Sequence, residues 1–377
     1  MGMQQNPASP RSLKAHFQQL ADPRIGRAKR HELLDILLLA ICAMLCGAES
    51  FTEMAEFGHC KLDWLQTWLA LPQGIPSHDT FNRVFGLIDP TAFMNCFLAW
   101  TQSLREAVAG ELVALDGKTL RRSRARTHGP LHLVNVWAAQ NRLVLGQLKV
   151  DDKSNEITAL PELLRALELT GCVVTVDAMG CQKNVAKEIH EADAEYVLAL
   201  KGNQGTLHQE VKEFLDDAAA HGFRDVAHQF TETVEKDHGR VETRRYWITE
   251  QVGWVADKDQ WDALRSVGMV EAVREVAGRV HTERRYYLSS LPAQAERFAA
   301  AVRGHWEIEN CVHWVLDVQM GEDRCPVRQQ HAAQNLAAIR ALCLNLLRRD
   351  RQVKRGIRSK QKVAGWDHNY LRSLLSF

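Results

Sequence analysis

The sequence lacks both a long hydrophobic run and an apolar N-terminal segment. Its longest uncharged apolar stretch, residues 36–48, has about 13 residues, whereas a transmembrane helix needs roughly 20. The polar start MGMQQNPASPRS also lacks the hydrophobic centre of a secretory signal peptide. We therefore expect a cytoplasmic protein rather than a membrane or secreted one.

Paired cysteines are also missing. The chain has nine cysteines, an odd number, and none of them forms a C-x-x-C pair. A disulfide framework usually has an even number of cysteines, and a zinc ribbon needs closely spaced pairs. The cysteines are instead scattered through apolar segments, so we expect reduced thiols in the core and no structural zinc.

The sequence has little excess charge of either sign, with a net charge of +1. This balance hides a local concentration, because residues 348–362 carry eight basic residues and one acidic residue. That segment has a local charge of +7, which leaves −6 for the rest of the chain. Such a basic run is either a solvated, partly disordered tail or a phosphate-binding segment. Charge alone leaves both interpretations open.

Helical patterns dominate the first hundred residues. The chain has 377 residues and 46% hydrophobic content, enough for two or three domains with sizeable cores. Apolar residues recur at helical spacing through residues 12–47, and Gly47 is placed to end a buried helix. Ser77 can cap a helix that begins near His78, because its side chain accepts an unpaired N–H of the first turn. These short helices predict either a helix-turn-helix with Arg83 facing DNA or a small bundle packed on another domain.

The order of elements in the central part predicts the fold class. Three strand-like runs come first, LVALDGK, LHLVNVWAAQ and LVLGQLKV, and a tight turn at Asn141 and Arg142 joins the last two. Helices then alternate with strands through Ala220, as in parallel strands joined by crossovers. This β-β-β-α-β-α-β-α order is typical of the α/β RNase H-like fold, a mixed sheet with helices on both faces.

Strand-like alternation resumes after this core. It predicts a β-rich insertion, after which Pro292 suits the first turn of a helix that reaches about Val318. A last amphipathic helix is predicted over residues 332–349. The expected domains are an N-terminal helical domain that could bind DNA (1–105), the first part of the core (106–222), the insertion (223–291), helices that complete the core (292–349) and a basic C-terminal tail (350–377).

Three carboxylates suggest a metal site in this arrangement. Asp116 and Asp177 each end a run of apolar and β-branched residues on what would be neighbouring strands, and Glu309 lies on an amphipathic helical stretch. Mg²⁺ prefers hard oxygen ligands, and proteins hold it through a few carboxylates. The set therefore predicts a site for Mg²⁺, or Mn²⁺, that supports phosphodiester chemistry, with Asp116 bridging two ions. A strand-end Asp can also be a turn former or helix cap, so the prediction depends on all three together.

Several strings in the sequence resemble one protein family. LDGKTLRRS, VTVDAMGCQ, LALKGNQ, GRVETRRYW and GHWEIENCVHWVLDVQMGEDRC are similar to segments of bacterial insertion-sequence DDE transposases, in the H-repeat-associated group linked to Rhs elements. The resemblance covers essentially the whole chain. It implies metal-dependent DNA cutting and strand transfer, with Asp116, Asp177 and Glu309 as the catalytic acids. The implied partners are double-stranded DNA, as terminal repeats and target, and a second copy of the chain on DNA.

The segment around Glu309 departs from the family pattern. Related transposases carry Tyr and Arg before the Glu and Lys after it, and the Arg and Lys contact DNA phosphates. Here those positions hold Val302, His305 and Leu316, so other side chains must contact DNA. The candidates for DNA contacts near the acids are Lys118, Arg121, Arg122, Lys201, Asn203, Arg303, His305, Asn310 and His313.

Two alternative functions remain open from the sequence. His305, Glu309 and His313, spaced by four residues, would share one face of an α-helix and could hold a transition metal in a hydrolase that does not act on DNA. The other alternative is a former transposase kept as a non-catalytic DNA-binding protein. Among the residues nearby, Trp306 and Trp314 are predicted to be core anchors, and Asp317, Glu322 and Asp323 to form a charged helix end that could support the site.

Overall fold

The structure of the protein, a computed structural model, describes residues 12–26, 29–120, 122–123, 129–150, 156–237, 240–276 and 279–375. The α-helices are α1 (Leu13–Phe17), α2 (Leu33–Leu45), α3 (Phe51–Cys60), α4 (Leu62–Leu65), α5 (His78–Leu87), α6 (Pro90–Leu104), α7 (Glu156–Arg165), α8 (Lys183–Glu191), α9 (Gly205–Ala220), α10 (Ala295–His305), α11 (Ala332–Arg349), α12 (Ile357–Trp366) and α13 (His368–Leu374). The strands are β1 (Leu112–Leu120), β2 (Leu131–Ala138), β3 (Leu143–Val150), β4 (Val173–Val176), β5 (Glu195–Leu200), β6 (Gln229–Asp237), β7 (Arg240–Thr249), β8 (Ser266–Val276) and β9 (Arg279–Ser289). In these parts of the chain, no helix combines the length and the apolar character needed to cross a bilayer.

The chain divides into two compact units built from interleaved segments. The first unit comprises residues 1–107, 118–149 and 309–377, and the second comprises residues 108–117 and 150–308. Strand β1 contributes residues to both units, since the division falls after Gly117.

The core of the first unit is a set of helices around α11. This helix contacts α2, α5 and α6, and it buries a continuous apolar face that includes Leu336, Ile339 and Leu346. Its bounds are those expected from the sequence. The cap of α5 is also confirmed, because Ser77 Oγ accepts a hydrogen bond from the backbone N–H of Thr80 at 3.3 Å.

The basic C-terminal segment folds onto this unit. Helix α12 contacts α2 and α11, and Lys360 in α12 lies with its Nζ 3.1 Å from Asp350 Oδ2. The hydroxyl of Tyr370 in α13 donates to the same oxygen at 2.8 Å. Of the two interpretations of this segment, the partly disordered tail is wrong for the described residues, because a buried ion pair and two helices order them.

The second unit contains a mixed sheet with the strand order β1-β4-β5-β9-β8-β7-β6. Strands β1, β4 and β5 are parallel to one another, as the alternation of helices and strands predicts. Within residues 223–291, the predicted β-rich insertion, strands β6 to β9 pair antiparallel in sequence order. The insertion continues the same sheet, because β9 pairs antiparallel with β5 from Val197↔Ser289 to Leu200↔Tyr286.

Helices cover both faces of this sheet. Consecutive side chains on a strand point to opposite faces, and on β9 the ring of Tyr287 packs against Phe298 of α10. The neighbouring Tyr286 instead donates a hydrogen bond to Asp216 of α9 at 2.7 Å. The protein is thus a mixed α/β chain with a helical N-terminal region.

The helix that leads to Glu309 differs from the one expected. Helix α10 begins at Ala295 after Gln294, so the prediction that Pro292 starts the helix is wrong. The α-helix ends at His305, and π-helical turns follow at Glu309–His313 and Val315–Gln319.

In the first unit, β3 lies beside β2.

Candidate active site

Asp116 and Asp177 directly follow paired residues of neighbouring parallel strands. Residues 112–115 of β1 pair with residues 173–176 of β4, and all eight are buried. The residue that follows each of these two sets of four is an aspartate that is only half-buried. The two aspartates therefore occupy equivalent positions on the two strands. Asp177 directly follows the end of β4, as expected of a strand-end residue, whereas β1 continues to Leu120, so Asp116 lies within its strand and not at the end.

The turn after β4 holds the carboxylate of Asp177. Its Oδ1 accepts hydrogen bonds from the backbone N–H groups of Met179 and Gly180, each at 3.2 Å. Burial raises the pKa of Asp177, and these two bonds and the charge of Lys201 offset the increase only in part. Asp177 is therefore a carboxylate held in a fixed orientation and partly shielded from water.

Lys201 and Asn203 are both exposed in the turn after β5. The amide of Asn203 donates to the backbone carbonyl of Ala178, the residue after Asp177. Asn203 thus helps to fix the turn that carries the second aspartate. The phosphate or DNA contacts expected of Lys201 and Asn203 stay predictions.

The end of α10 packs closely on the parallel strands. A Cβ on Gly304 would lie 2.2 Å from Leu112 Cδ2, so only glycine permits this approach. His305 follows, and its Nδ1 is 2.9 Å from the hydroxyl of Thr175 on β4. Arg303 is exposed and donates to Glu235 at 2.8 Å. DNA contacts by Arg303 and His305 stay predictions, and both side chains already have partners within the second unit.

Glu309 lies in the first unit on the first π-helical turn. Its side chain is 64% exposed, and its Oε2 lies 3.0 Å from Nδ1 of His313. His313 is buried, with only 4% of its surface exposed. Burial lowers the pKa of His313, and the neighbouring Glu309 opposes this decrease. The expected role of His313 as a DNA contact does not fit its burial, because a buried ring offers no surface to a phosphate.

Two further polar residues near His313 are not identified from the sequence. Asn135 on β2 places its Nδ2 3.2 Å from His313 Nε2, and Gln147 on β3 donates to Asn135 Oδ1 at 2.7 Å. Asn135 and Gln147 are 0% and 3% exposed. The sequence feature that could have identified them is a single amide side chain in each of two otherwise apolar strands, LVNVWA and LVLGQL, because a buried amide needs hydrogen-bond partners.

Lys118 lies in a buried cluster of charged groups in the first unit. Its Nζ is 2.6 Å from Asp317 Oδ1 and also contacts Glu322 Oε2. The side chains of Lys118 and Glu322 are 6% and 1% exposed. A contact with DNA phosphate would have to compete with these two carboxylates. Glu322 is more than the charged helix end expected from the sequence, because it pairs with a lysine two positions from Asp116.

The remaining candidate residues lie at the surface where the structure describes them. Arg122 and Asn310 are exposed, and the backbone carbonyl of Arg122 accepts from Arg328 at 2.8 Å. Arg121 lies outside the described residues. The prediction that Trp306 and Trp314 are core anchors is wrong, since they are 38% and 48% exposed.

The alternative His-Glu-His metal site assumed a single α-helix. That assumption is wrong, because α10 ends at His305 and Glu309 begins a π-helical turn. The histidines also have other partners, since His305 Nδ1 meets the Thr175 hydroxyl and His313 Nε2 meets Asn135. The structure therefore does not favour this alternative.

Comparison with protein families gives two adjacent matches. Residues 14–101 match the family described as DDE_Tnp_1-associated, and residues 109–346 match the family described as transposase DDE domain. The second match covers more than half of the chain and contains Asp116, Asp177 and Glu309.

Individual relatives agree with these matches. YhhI of Escherichia coli K12, named as an H repeat-associated candidate transposase, is 38% identical over 373 residues, 97% of this chain and 98% of the relative. A protein from the dhlA 3′ region of Xanthobacter autotrophicus is 46% identical over 285 residues, 74% of this chain and 95% of the relative. A shorter relative, YbfQ of E. coli K12, is named as an inactive transposase and is 40% identical over 74 residues, 20% of this chain. The chain belongs to the family of transposases that carry a DDE domain.

Proposed function

We propose that this protein is a DNA transposase that cuts and rejoins DNA at the ends of an insertion sequence. The observation that carries the proposal is the equivalent placement of Asp116 and Asp177 after the pair Leu115↔Val176, within the part of the chain that matches the transposase DDE domain. We further propose that the core has the RNase H-like fold, which agrees with the parallel order β1-β4-β5.

The acids have the chemistry that a divalent cation requires. Asp116 and Asp177 are half-buried carboxylates, and each has an oxygen oriented by backbone N–H groups, at 3.0 Å from Gly117 and at 3.2 Å from Met179 and Gly180. Hard, oriented oxygen atoms are the ligands that Mg²⁺ and Mn²⁺ prefer. We propose Glu309 as the third ligand. When bound, the metal supplies activation of the attacking hydroxyl and stabilisation of the leaving oxygen.

The protein's own residues would hold and orient the reactants. The turn after β4 fixes Asp177, while exposed basic side chains such as Lys201 and Arg303 would bind the DNA backbone through charge-assisted hydrogen bonds. Two copies of the chain would bring two DNA ends together. Because the substrate would be bacterial DNA, the enzyme would act in the cytoplasm.

The test uses the purified full chain and a plasmid that carries the reading frame with its native flanking DNA. Wild-type protein with Mg²⁺ should cut at the element ends. Asp116→Asn, Asp177→Asn and Glu309→Gln should reduce metal-dependent cutting to background while gel-shift binding of the end DNA persists. Glu307→Gln is the matched control, because Glu307 is an exposed glutamate on the same segment, and it should cut normally.

A second candidate function is DNA binding without catalysis, since one relative is named as an inactive transposase. The positions where related transposases carry Tyr and Lys around the Glu hold Val302 and Leu316, which are 6% and 0% exposed. A protein retained only for DNA binding would shift end DNA in the gel assay without any metal-dependent nick. That result would overturn the proposed catalytic function and support the binding function.

A further inference from the structure

A chain of hydrogen bonds leads from the exposed carboxylate of Glu309 into the interior of the first unit. Glu309 Oε2 lies 3.0 Å from His313 Nδ1, and His313 Nε2 lies 3.2 Å from Asn135 Nδ2. Asn135 Oδ1 then accepts from Gln147 Nε2 at 2.7 Å. The three inner residues are all nine-tenths or more buried, so water does not compete for these bonds.

The direction of each hydrogen bond in this series follows from which groups can donate. A carboxylate only accepts hydrogen bonds, so His313 must present N–H at Nδ1 to Glu309. A neutral ring then has a lone pair at Nε2, which needs a donor, and the amide group of Asn135 supplies it. The remaining oxygen of Asn135 accepts from Gln147, as observed. One ring tautomer therefore satisfies these three hydrogen bonds, and the other tautomer would set the lone pair of Nδ1 against the carboxylate of Glu309.

The surrounding packing holds the turn on which these residues lie. Arg348 of α11 donates to the backbone carbonyl of Cys311, inside the π-helical turn. The same guanidinium lies over the ring of Trp137 on β2, 4.7 Å from the ring centroid. Asn135 is two residues earlier on that strand and so points to the same face. Helix α11 and strand β2 thus fix both ends of the His313 contact.

We propose that His313 is a positioning residue, which orients the carboxylate of Glu309 through the Glu309-His313-Asn135-Gln147 series of hydrogen bonds. The expected effect of this residue on catalysis rests on the proposed function. Its structural part, the Nδ1–H tautomer fixed by Asn135, does not depend on that function. Residues that orient a metal-binding side chain typically affect affinity or activity by about 10–100-fold when replaced.

The first experiment measures the tautomer of His313. It uses long-range proton–nitrogen NMR of metal-free protein labelled with ¹⁵N-histidine. The signal that is absent from the His313→Asn variant is assigned to His313. Wild-type His313 should show a protonated Nδ1 and an unprotonated Nε2. Asn135→Asp replaces the donor by an acceptor, so Nε2 should become protonated. A wild-type ring with the proton on Nε2, or no change in Asn135→Asp, would overturn the proposal.

Cleavage of the plasmid then tests the consequence. His313→Leu removes the donor at Nδ1 and should slow cleavage about 10–100-fold, with end-DNA binding unchanged. His313→Asn places an amide N–H where Nδ1 lies and should recover most of the rate. His59→Leu, at an exposed histidine of the same unit, is the control for the change in residue type and should leave the rate unchanged.

The two experiments separate the two proposals. Normal cleavage by His313→Leu would refute the positioning role. Absence of cleavage by the wild-type protein would refute the proposed function, and the NMR result would still decide whether Asn135 fixes the tautomer. Loss of cleavage in both His313→Leu and His313→Asn, with weakened metal binding in both, would identify His313 as a ligand and overturn the inference.

Discussion

Replacing Lys118 by methionine should destabilise the first unit, because the variant leaves two carboxylates without their cation. In the wild-type protein the Lys118 ammonium is 2.6 Å from Asp317 and also contacts Glu322. The side chains of Lys118 and Glu322 are 6% and 1% exposed, and that of Asp317 is 24% exposed. Methionine keeps most of the side-chain volume, so the change mainly removes the charge.

The magnitude follows from the burial of the three groups. Removal of one partner from a buried ion pair costs roughly 3–5 kcal/mol. Partial exposure of Asp317 allows water to solvate its carboxylate, so we expect a value near the lower limit, about 3 kcal/mol. For a chain of 377 residues the melting temperature should fall by about 4 °C.

The loss should depend on pH. Burial raises the pKa of Asp317, even though Lys118 opposes the increase. A carboxyl group with a raised pKa in the folded state favours folding in acid, and this contribution disappears as the pH rises through that pKa. Without Lys118 the rise in pKa should be larger. The loss of stability in Lys118→Met should therefore be greatest at neutral pH and smaller near pH 5. Scanning calorimetry of the variant and the wild-type protein, at both pH values and a fixed scan rate, measures this difference.

Two control variants make the result decisive. The triple variant Lys118→Met, Asp317→Asn, Glu322→Gln removes all three charges and should recover most of the stability. Lys183→Met removes a lysine whose side chain is 37% exposed and paired with Asp257, and it should cost less than about 1 kcal/mol. Equal losses in the single and triple variants, independent of pH, would refute the charge argument and indicate lost packing.

Two further predictions concern stability elsewhere in the chain. Burial alone would raise the pKa of Asp350, but hydrogen bonds, including that from Tyr370, outweigh burial and lower the pKa below its usual value. The stabilisation should be lost as the pH falls through this lowered pKa, so Asp350→Asn should cost roughly 1–3 kcal/mol at pH 7 and less below about pH 3 in thermal unfolding. An equal cost at both pH values would contradict this. Gly304→Ala would place a Cβ 2.2 Å from Leu112 and should cost about 1–3 kcal/mol, whereas Gly253→Ala, with open space around it, should be nearly neutral; equal melting temperatures would contradict the clash.

The order of elements could be predicted because the buried segments are long and uniform. The apolar face of α11 repeats over the whole helix, and its bounds agree with the sequence pattern. The runs before Asp116 and Asp177 are short, but they are continuously apolar and therefore predict buried strands. The π-helical turns could not be predicted, since local propensity does not encode them, and a distant arginine, Arg348, contacts the Cys311 carbonyl within one of them.

The candidate site was predicted only where its residues follow a local pattern. Strand-end aspartates can be recognised from the run that precedes them. Asn135 and Gln147 were missed because each looks like an isolated amide, and their meaning depends on a histidine far along the chain. The burial of Lys118 was missed because its two partners lie about two hundred residues away in sequence. Partners that lie this far apart in sequence can be identified only once the fold is known.

The interleaving of the two units has a consequence for damaged copies of the gene. Helix α11 covers α2 and α5, yet the ribosome makes it long after those helices and after the whole second unit. A reading frame that stops within the second unit would leave the apolar faces of α2 and α5 exposed to aggregation and proteolysis. Truncated copies should therefore yield little stable protein.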